Sequence, residues 1–316
     1  ATPTPGAANI AGLPGTAGSV RFSRKSTTFV ESFPLVLQTS EPASGASIRY
    51  TLDRSLPNET SPIYSAPLNV STSVMVRARV FAPGMFAGPI RTESFVALNS
   101  TVVNVTSDLP ILVIHSFGGG RVNGTAYNGA FMMVHEPIRG RSALTNAPHI
   151  TTRAALKDRG SSTAGQTKAN YAVELWDEEN QARNLPLLGL PAESDWVFHA
   201  PYNFDPALIR NPLAFEMGHQ LGRYSPRYRF VEVYVNAGAT SGPITSANYA
   251  GVYNILEKIK RGKDRVDVDE LRPGDIQAPA VTGGYLFKID RLDPGDGGLN
   301  AGGRQIAYVE PKEPEI

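Results

Sequence analysis

Two stretches carry residue types that could handle phosphate. Leu156-Lys157-Asp158-Arg159-Gly160-Ser161-Ser162 ends in a Gly/Ser turn, and Lys168-Ala169-Asn170-Tyr171-Ala172-Val173-Glu174-Leu175 reads as an alternating strand that begins on a lysine. Backbone N–H groups in such a turn can cradle a phosphate, and a lysine beside it can neutralise the charge. A plain turn followed by a solvated lysine would show the same residues. Other chemistries find less support. His115, His135, His149, His199 and His219 are scattered without ligand spacing. Neither a Gly-x-Ser-x-Gly elbow nor a Walker sequence is present. The carboxylates form no evident glycosidase pair.

The elements that must position these residues are mostly strands. Leu109-Pro110-Ile111-Leu112-Val113-Ile114-His115 reads as a buried strand, Gly118-Gly119-Gly120 as a turn, and Phe131-Met132-Met133-Val134-His135-Glu136 as another strand. Tyr228-Arg229-Phe230-Val231-Glu232-Val233-Tyr234-Val235-Asn236 alternates cleanly. Between them, Asp205-Pro206 is expected to open a helix, with Asp205 as N-cap and Pro206 at the first helical position, and Pro212 to kink or restart it. The mixture predicts an α+β second half.

The first half predicts only strands. Phe33-Pro34-Leu35-Val36-Leu37, Ser47-Ile48-Arg49-Tyr50-Thr51-Leu52 and Val74-Met75-Val76-Arg77-Ala78-Arg79-Val80 are separated by Pro, Gly, Asn and Ser clusters, the pattern of a β-sandwich. Arg77 and Arg79 alternate with Val76, Ala78 and Val80, so that strand is expected to have one wet face. Asp53 and Asn58 fit turn-forming roles. A chain of 316 residues divides naturally into two domains. The expected boundaries are a linker or tail over 1–17, an accessory β-sandwich over 18–98 and a second module over 99–316.

Net charge is +1, with both signs interspersed, which gives no electrostatic case for nucleic acid or an anionic membrane as partner. Cysteine is absent, so disulfides and thiol chemistry are excluded. No apolar run reaches the length of a membrane span. Abundant Thr, Ser, Asn, Gly and Pro lean toward an exported bacterial protein, secreted or at the cell surface. The first residue is not Met and no signal peptide is visible, so the chain is expected to have been processed or cut from a longer one.

Two resemblances sharpen these expectations. Ile48-Arg49-Tyr50-Thr51-Leu52-Asp53-Arg54-Ser55-Leu56-Pro57, followed by Ser61-Pro62-Ile63-Tyr64-Ser65-Ala66-Pro67-Leu68, resembles the C-terminal domain of chitobiase and β-hexosaminidase proteins. That implies an immunoglobulin-like accessory module. Arg54 stands where the family usually has glycine, so the turn geometry is in question. The opening Thr4-Pro5-Gly6-Ala7-Ala8-Asn9 resembles the end of a lamin-tail-type domain; a flexible linker would read alike.

In the second half, Arg159-Gly160-Ser161-Ser162, the Lys168-to-Tyr171 strand, Leu188-Gly189-Leu190-Pro191 with Asp195-Trp196, Asp205 with Ile209-Arg210-Asn211, Val233-Tyr234-Val235-Asn236, and Gly251-Val252-Tyr253 with Glu257-Lys258-Ile259 follow in order. This ordered set resembles the CotH family of spore-coat-type atypical protein kinases. It implies a kinase-like α+β fold, ATP and Mg²⁺ as cofactors, and phosphoryl transfer to protein Ser or Thr. By transfer, Arg159, Gly160, Ser161 and Ser162 would lie near the phosphates, Lys168 would contact them, Glu257 would be its acidic partner, and Lys288 would be a second lysine. The family's catalytic Asp and Asn and its Trp-Asp-x-Asp metal element would follow the region of Lys288. Asp290, Asp293 and Asp296 do not match them, so the module is expected to be truncated at its C-terminal end and catalytically incomplete. The partner is then a protein substrate or, in the alternative of a non-catalytic scaffold, an extracellular polymer.

Overall fold

The structure is a computed structural model that describes residues 15–40, 44–122, 124–160, 163, 166–200, 202–290, 292 and 296–311. It divides into two compact units, one of Ala1–Pro206 with Arg229–Ile255 and one of Ala207–Tyr228 with Leu256–Ile316.

The larger unit opens with eight strands: β1 (Val20–Phe22), β2 (Thr27–Phe29), β3 (Phe33–Leu35), β4 (Leu37–Thr39), β5 (Ser47–Thr51), β6 (Leu68–Val70), β7 (Val74–Phe81) and β8 (Arg91–Ala97). They form a four-stranded sheet in the order β2-β8-β7-β5 and the pairs β1-β4 and β3-β6. The expected strand over 33–37 is split, because Val36 leaves both ladders: its N–H donates to Ser23 Oγ and its carbonyl accepts from the Ser23 N–H, each at 2.9 Å. Phe22, Phe29, Phe33, Leu35, Leu37, Val76, Val80 and Phe95 meet in one apolar core. Ring pairs Phe29–Phe33 and Phe33–Phe95 pack edge-on at 5.3 and 5.2 Å.

The chain continues through β9 (Thr106–Ser107), β10 (Ile111–His115), β11 (Asn128–His135), β12 (Ser142–Ala143), β13 (Ile150–Asp158), β14 (Tyr171–Trp176), β15 (Asp195–His199), α1 (Arg210–Gln220), β16 (Tyr228–Asn236) and β17 (Tyr249–Glu257). Seven strands close a barrel in the order β10-β11-β13-β14-β15-β17-β16. β10 and β16 run parallel, with Ile111 opposite Glu232 and His115 opposite Asn236. Every residue of β10 is buried. Ile111 and Val113 join a second core with Phe131, Met133, Tyr234 and Ile244. Leu112 and Ile114 project from the opposite face of the strand and are fully buried there.

That second core also contains Met75, Val96 and Leu98 of the N-terminal β-rich domain. The domain and the barrel thus share apolar packing. Backbone bonds reinforce the seam: the Ile244 N–H donates to Ala97 O at 2.8 Å, and the Asn99 N–H to Ile244 O at 2.9 Å. This seam overturns the expected wet face of β7. Arg77 is 1% exposed, because the turn after β14 covers it and supplies Glu178.

Arg54 takes φ +74°, so the turn keeps the left-handed conformation of glycine despite the substitution. Asp53 braces it by accepting from the Ser55 N–H at 3.0 Å and the Ser55 hydroxyl at 2.5 Å. Those bonds hold the Asp53 pKa below its ordinary value. Asn58 likewise accepts from the Thr60 N–H at 2.8 Å. Both residues serve turns.

In the smaller unit, α1 starts at Arg210, with Ile209 as N-cap and no side-chain cap bond. The expected start at Asp205-Pro206 fails because Leu208 adopts φ +57°, which no right-handed helix can pass through. Pro212 therefore falls in the first turn, where its missing N–H has no intrahelical partner to lose. The helix runs without interruption for 11 residues. β18 (Leu286–Lys288), β19 (Gly298–Ala301) and β20 (Arg304–Glu310) form a sheet in the order β18-β20-β19. α1 is the one α-helix among the described residues, less helix than an α+β module predicts. No helix among them is long and apolar enough to cross a membrane.

Candidate functional site

The Gly turn and Lys168 belong to one hairpin loop. β13 and β14 pair antiparallel as far as Asp158 opposite Tyr171, and the Arg159 N–H donates to Asn170 O at 2.9 Å. The loop thus begins at Arg159 and Gly160 and returns through Lys168. Ser161 and Ser162 lie outside the described residues. Gly160 has φ +86°, and a Cβ there would stand 2.5 Å from Thr163 Oγ1. That hydroxyl donates to Arg159 O at 3.1 Å, so the tight turn needs glycine.

Lys168 sits three residues before β14, not at its first position as the alternation predicts. Asn170, just before β14, is buried, and its Oδ1 accepts the Ala200 N–H at 2.6 Å.

The Lys168 amine is held by β17. Nζ donates to Val252 O at 2.5 Å and lies 4.8 Å from the centroid of the Tyr253 ring. The Tyr253 hydroxyl donates to Ala169 O at 3.0 Å, and the Tyr253 and Tyr171 rings stack at 6.2 Å. Burial pulls the Lys168 pKa below its ordinary value and pushes the Tyr171 and Tyr253 hydroxyls up. His199, at the end of β15, is lowered by burial and further by the charge of Arg159, with Asp205 opposing. The loop and its surroundings therefore hold two cationic side chains, Arg159 and Lys168, suited to an anion.

Glu257 and Lys288 lie in the smaller unit. The Glu257 side chain is fully buried between two arginines. Oε1 accepts from Arg227 Nε at 2.8 Å and Arg265 Nη1 at 2.7 Å, and Oε2 accepts the Arg227 N–H at 3.0 Å. Arg227 and Arg265 also donate to Asp264 O, at 2.5 and 3.2 Å. Burial and the Glu257 charge raise the Tyr224 pKa. Lys288 pairs with Asp296 at 2.6 Å.

Sequence reasoning passed over Gly251 and Tyr253 as partners of Lys168, and Arg227 and Arg265 as partners of Glu257. Gly251 and Tyr253 stand in the Gly-x-Tyr segment that carries Glu257, but that segment lies 84 residues from Lys168 and nothing local ties the two together. Arg227, a single basic residue before a strand, gave no signal.

Two surface hollows, of about 280 and 320 Å³, share Arg153 and Trp176 along the seam between the N-terminal domain and the barrel. Several of their charged groups are engaged by neighbouring residues. Arg153 donates to Asp177 O and Asn180 Oδ1, each at 2.5 Å; Glu93 accepts from Ser26 and pairs with Lys25; Glu178 accepts from Arg77 and Thr92.

Two known families match parts of the chain. The family described as chitobiase/beta-hexosaminidase C-terminal domain matches residues 25–92, within the β-rich N-terminal domain. The family described as CotH kinase protein matches residues 156–314, starting just ahead of the 159–170 loop. The chain belongs to the CotH kinase protein family. No curated protein matches it.

Proposed function

We infer that this protein serves ATP-dependent phosphoryl transfer to protein Ser or Thr hydroxyls, with the 159–170 loop receiving the nucleotide phosphates. The observation that carries the reading is that one hairpin loop of a CotH-family chain bears Arg159, the Gly160 turn and Lys168. Phosphoryl transfer asks a protein mainly for positioning and for positive charge around the phosphates. Arg159 and Lys168 would supply that charge, and N–H groups of the turn at Gly160 would add donors. ATP, when bound with Mg²⁺, supplies the transferable phosphoryl group. Among the described residues no group of three or more His, Asp or Glu could hold a metal ion, so no residue is assigned to Mg²⁺ and none to the catalytic base. Lys288 is in this reading a second lysine of the module, whereas Glu257, expected as the acidic partner of Lys168, is bound by Arg227 and Arg265, and the Lys168 amine by Val252 O.

The same reading takes residues 18–98 as an immunoglobulin-like accessory sandwich and residues 99–316 as a kinase-like module. It places the protein outside the bacterial cell or on its surface, supported by the Cys-free, Thr- and Ser-rich composition.

The test is calorimetric titration of the chain with MgATP, paired with transfer of labelled phosphate to protein acceptors. Binding is expected, and Lys168→Ala should weaken it by about tenfold or more. Absence of MgATP binding up to about 1 mM would overturn the reading. Polymer binding that survives Lys168→Ala would favour an extracellular scaffold instead.

A further inference from the structure

We propose that Gly251 and Tyr253 are positioning residues for Lys168: residues 251–253 of β17 form a cradle that fixes the lysine amine beside the 159–170 loop. The functional meaning of the cradle rests on the phosphate reading of that loop. Its existence rests on geometry alone.

Two contacts and one gap converge on one ammonium. The Val252 carbonyl accepts one N–H at 2.5 Å. The Tyr253 ring lies 4.8 Å from Nζ, inside the roughly 6 Å range in which a cation is drawn to an aromatic face. Gly251 supplies the room: a Cβ there would stand 3.0 Å from Nζ and 3.5 Å from Cε. Its φ of +91° independently disfavours any side chain. Glycine at 251 thus answers two separate demands, one from the backbone and one from the amine.

Tyr253 is itself held from two sides. It is 1% exposed. Its hydroxyl binds the carbonyl of Ala169, the residue next to Lys168, and its ring stacks on Tyr171. One tyrosine therefore anchors the main chain beside the lysine and offers its face to the amine. The two segments lie 84 residues apart in the sequence and meet only through the barrel.

A lysine stem is flexible, and a ligand that captures a free one must freeze it. In the cradle the stem is ordered beforehand, so an arriving anion meets a fixed charge. An ammonium has three N–H donors, and the carbonyl uses one of them.

The experiment is carbon–proton correlation NMR of the chain labelled at lysine ε-carbons, with Lys168→Arg to assign the signal. The aromatic ring should shift the Lys168 ε-protons upfield of solvated lysines. Gly251→Ala and Tyr253→Leu should abolish that shift and weaken MgATP binding about threefold to tenfold. Tyr253→Phe keeps the ring but loses the bond to Ala169 O, so it should restore most of the shift and of the binding. The wild-type spectrum and Gly251→Ala decide the matter even if Tyr253→Leu fails to fold. Lys168 signals at the solvated position in the wild type, or unmoved in Gly251→Ala, would overturn the cradle. Upfield signals that MgATP neither perturbs nor binds near would overturn the phosphate reading and leave the cradle standing.

Discussion

Arg77 of the N-terminal domain and Glu178 of the barrel, 101 residues apart, form an ion pair across the seam at 3.4 Å. Arg77 also donates from Nε to Thr92 Oγ1 at 3.2 Å and from Nη1 to Arg54 O at 3.0 Å, and its Nη2 meets the Glu178 carbonyl. The Glu178 carboxylate is fixed in turn by the Thr92 N–H at 3.1 Å and the Thr92 hydroxyl at 2.5 Å. Burial lowers the Arg77 pKa and the Glu178 charge opposes that shift. Removing one partner from such a site costs more than removing both, since a buried charge is left uncompensated. Glu178→Ala should lower stability by about 3 kcal/mol in urea unfolding. Arg77→Leu combined with Glu178→Leu should recover much of that loss. A change below about 0.5 kcal/mol for Glu178→Ala would mark an ordinary surface pair.

The shared core predicts that the N-terminal domain and the barrel unfold together. Val96 of β8 is 1% exposed and packs in the cluster that holds Ile111, Phe131 and Tyr234. The two tryptophans, Trp176 and Trp196, are both in the barrel half, so their emission reports on that half. Val96→Ala should destabilise by about 2 kcal/mol. The tryptophan transition should move by the same amount as the far-ultraviolet circular dichroism. A tryptophan transition that stays in place while the dichroism shifts would show two independent folding units.

How far the sequence could be read depended on the range of the contacts. The strand at Tyr228–Asn236 was legible to the residue, because alternation is local. The buried strand expected over Leu109–His115 was legible from its continuous apolar run, and it forms over Ile111–His115. The burial of Arg77 was not: alternation shows which residues share a face, but not what covers that face. Leu208 misled the helix prediction, since an aliphatic residue gives no sign of a left-handed backbone. In the candidate site, Arg159, Gly160 and Lys168 could be grouped because a single hairpin carries them. The contact of Lys168 with Val252 and Tyr253 depends on barrel closure, and no local pattern encodes it.

The arginine–glutamate–arginine arrangement at Glu257 predicts a large structural effect. Its carboxylate is fully buried and accepts three bonds from Arg227 and Arg265. Glu257→Ala would take the Glu257 carboxylate away from the nearly buried Arg265 guanidinium. A loss of about 4 kcal/mol is expected, seen as faster amide exchange over residues 256–266. Glu257→Gln keeps the shape and an acceptor oxygen, so it should cost markedly less. Equal losses from the two variants would mean that packing, not charge, is what Glu257 supplies.

Two buried histidines predict acid sensitivity before the carboxylates titrate. His115 and His135 are each 0% exposed, and burial lowers each pKa to about 4. The bonds of His115 assign its tautomer: Nδ1 accepts the Phe117 N–H at 2.9 Å, so Nε2 carries the proton and donates to Gly242 O at 2.9 Å. Protonating Nδ1 would break the first bond. His135 faces Asn146 O through Nδ1 at 3.0 Å, which places its proton there and leaves Nε2 buried without a partner. The unfolded chain takes up protons near pH 6.5, while the folded chain resists until about pH 4. Between those values the unfolded state binds more protons, so stability falls as pH falls. Each histidine can contribute at most about 3 kcal/mol across the window. Well above pH 6.5 both imidazoles are neutral in either state and neither affects the slope. Urea midpoints measured from pH 7 to pH 5 should therefore decline, and His115→Gln combined with His135→Gln should flatten that decline. A wild-type midpoint constant over this range would show that the two imidazoles reach water or charge freely in the fold.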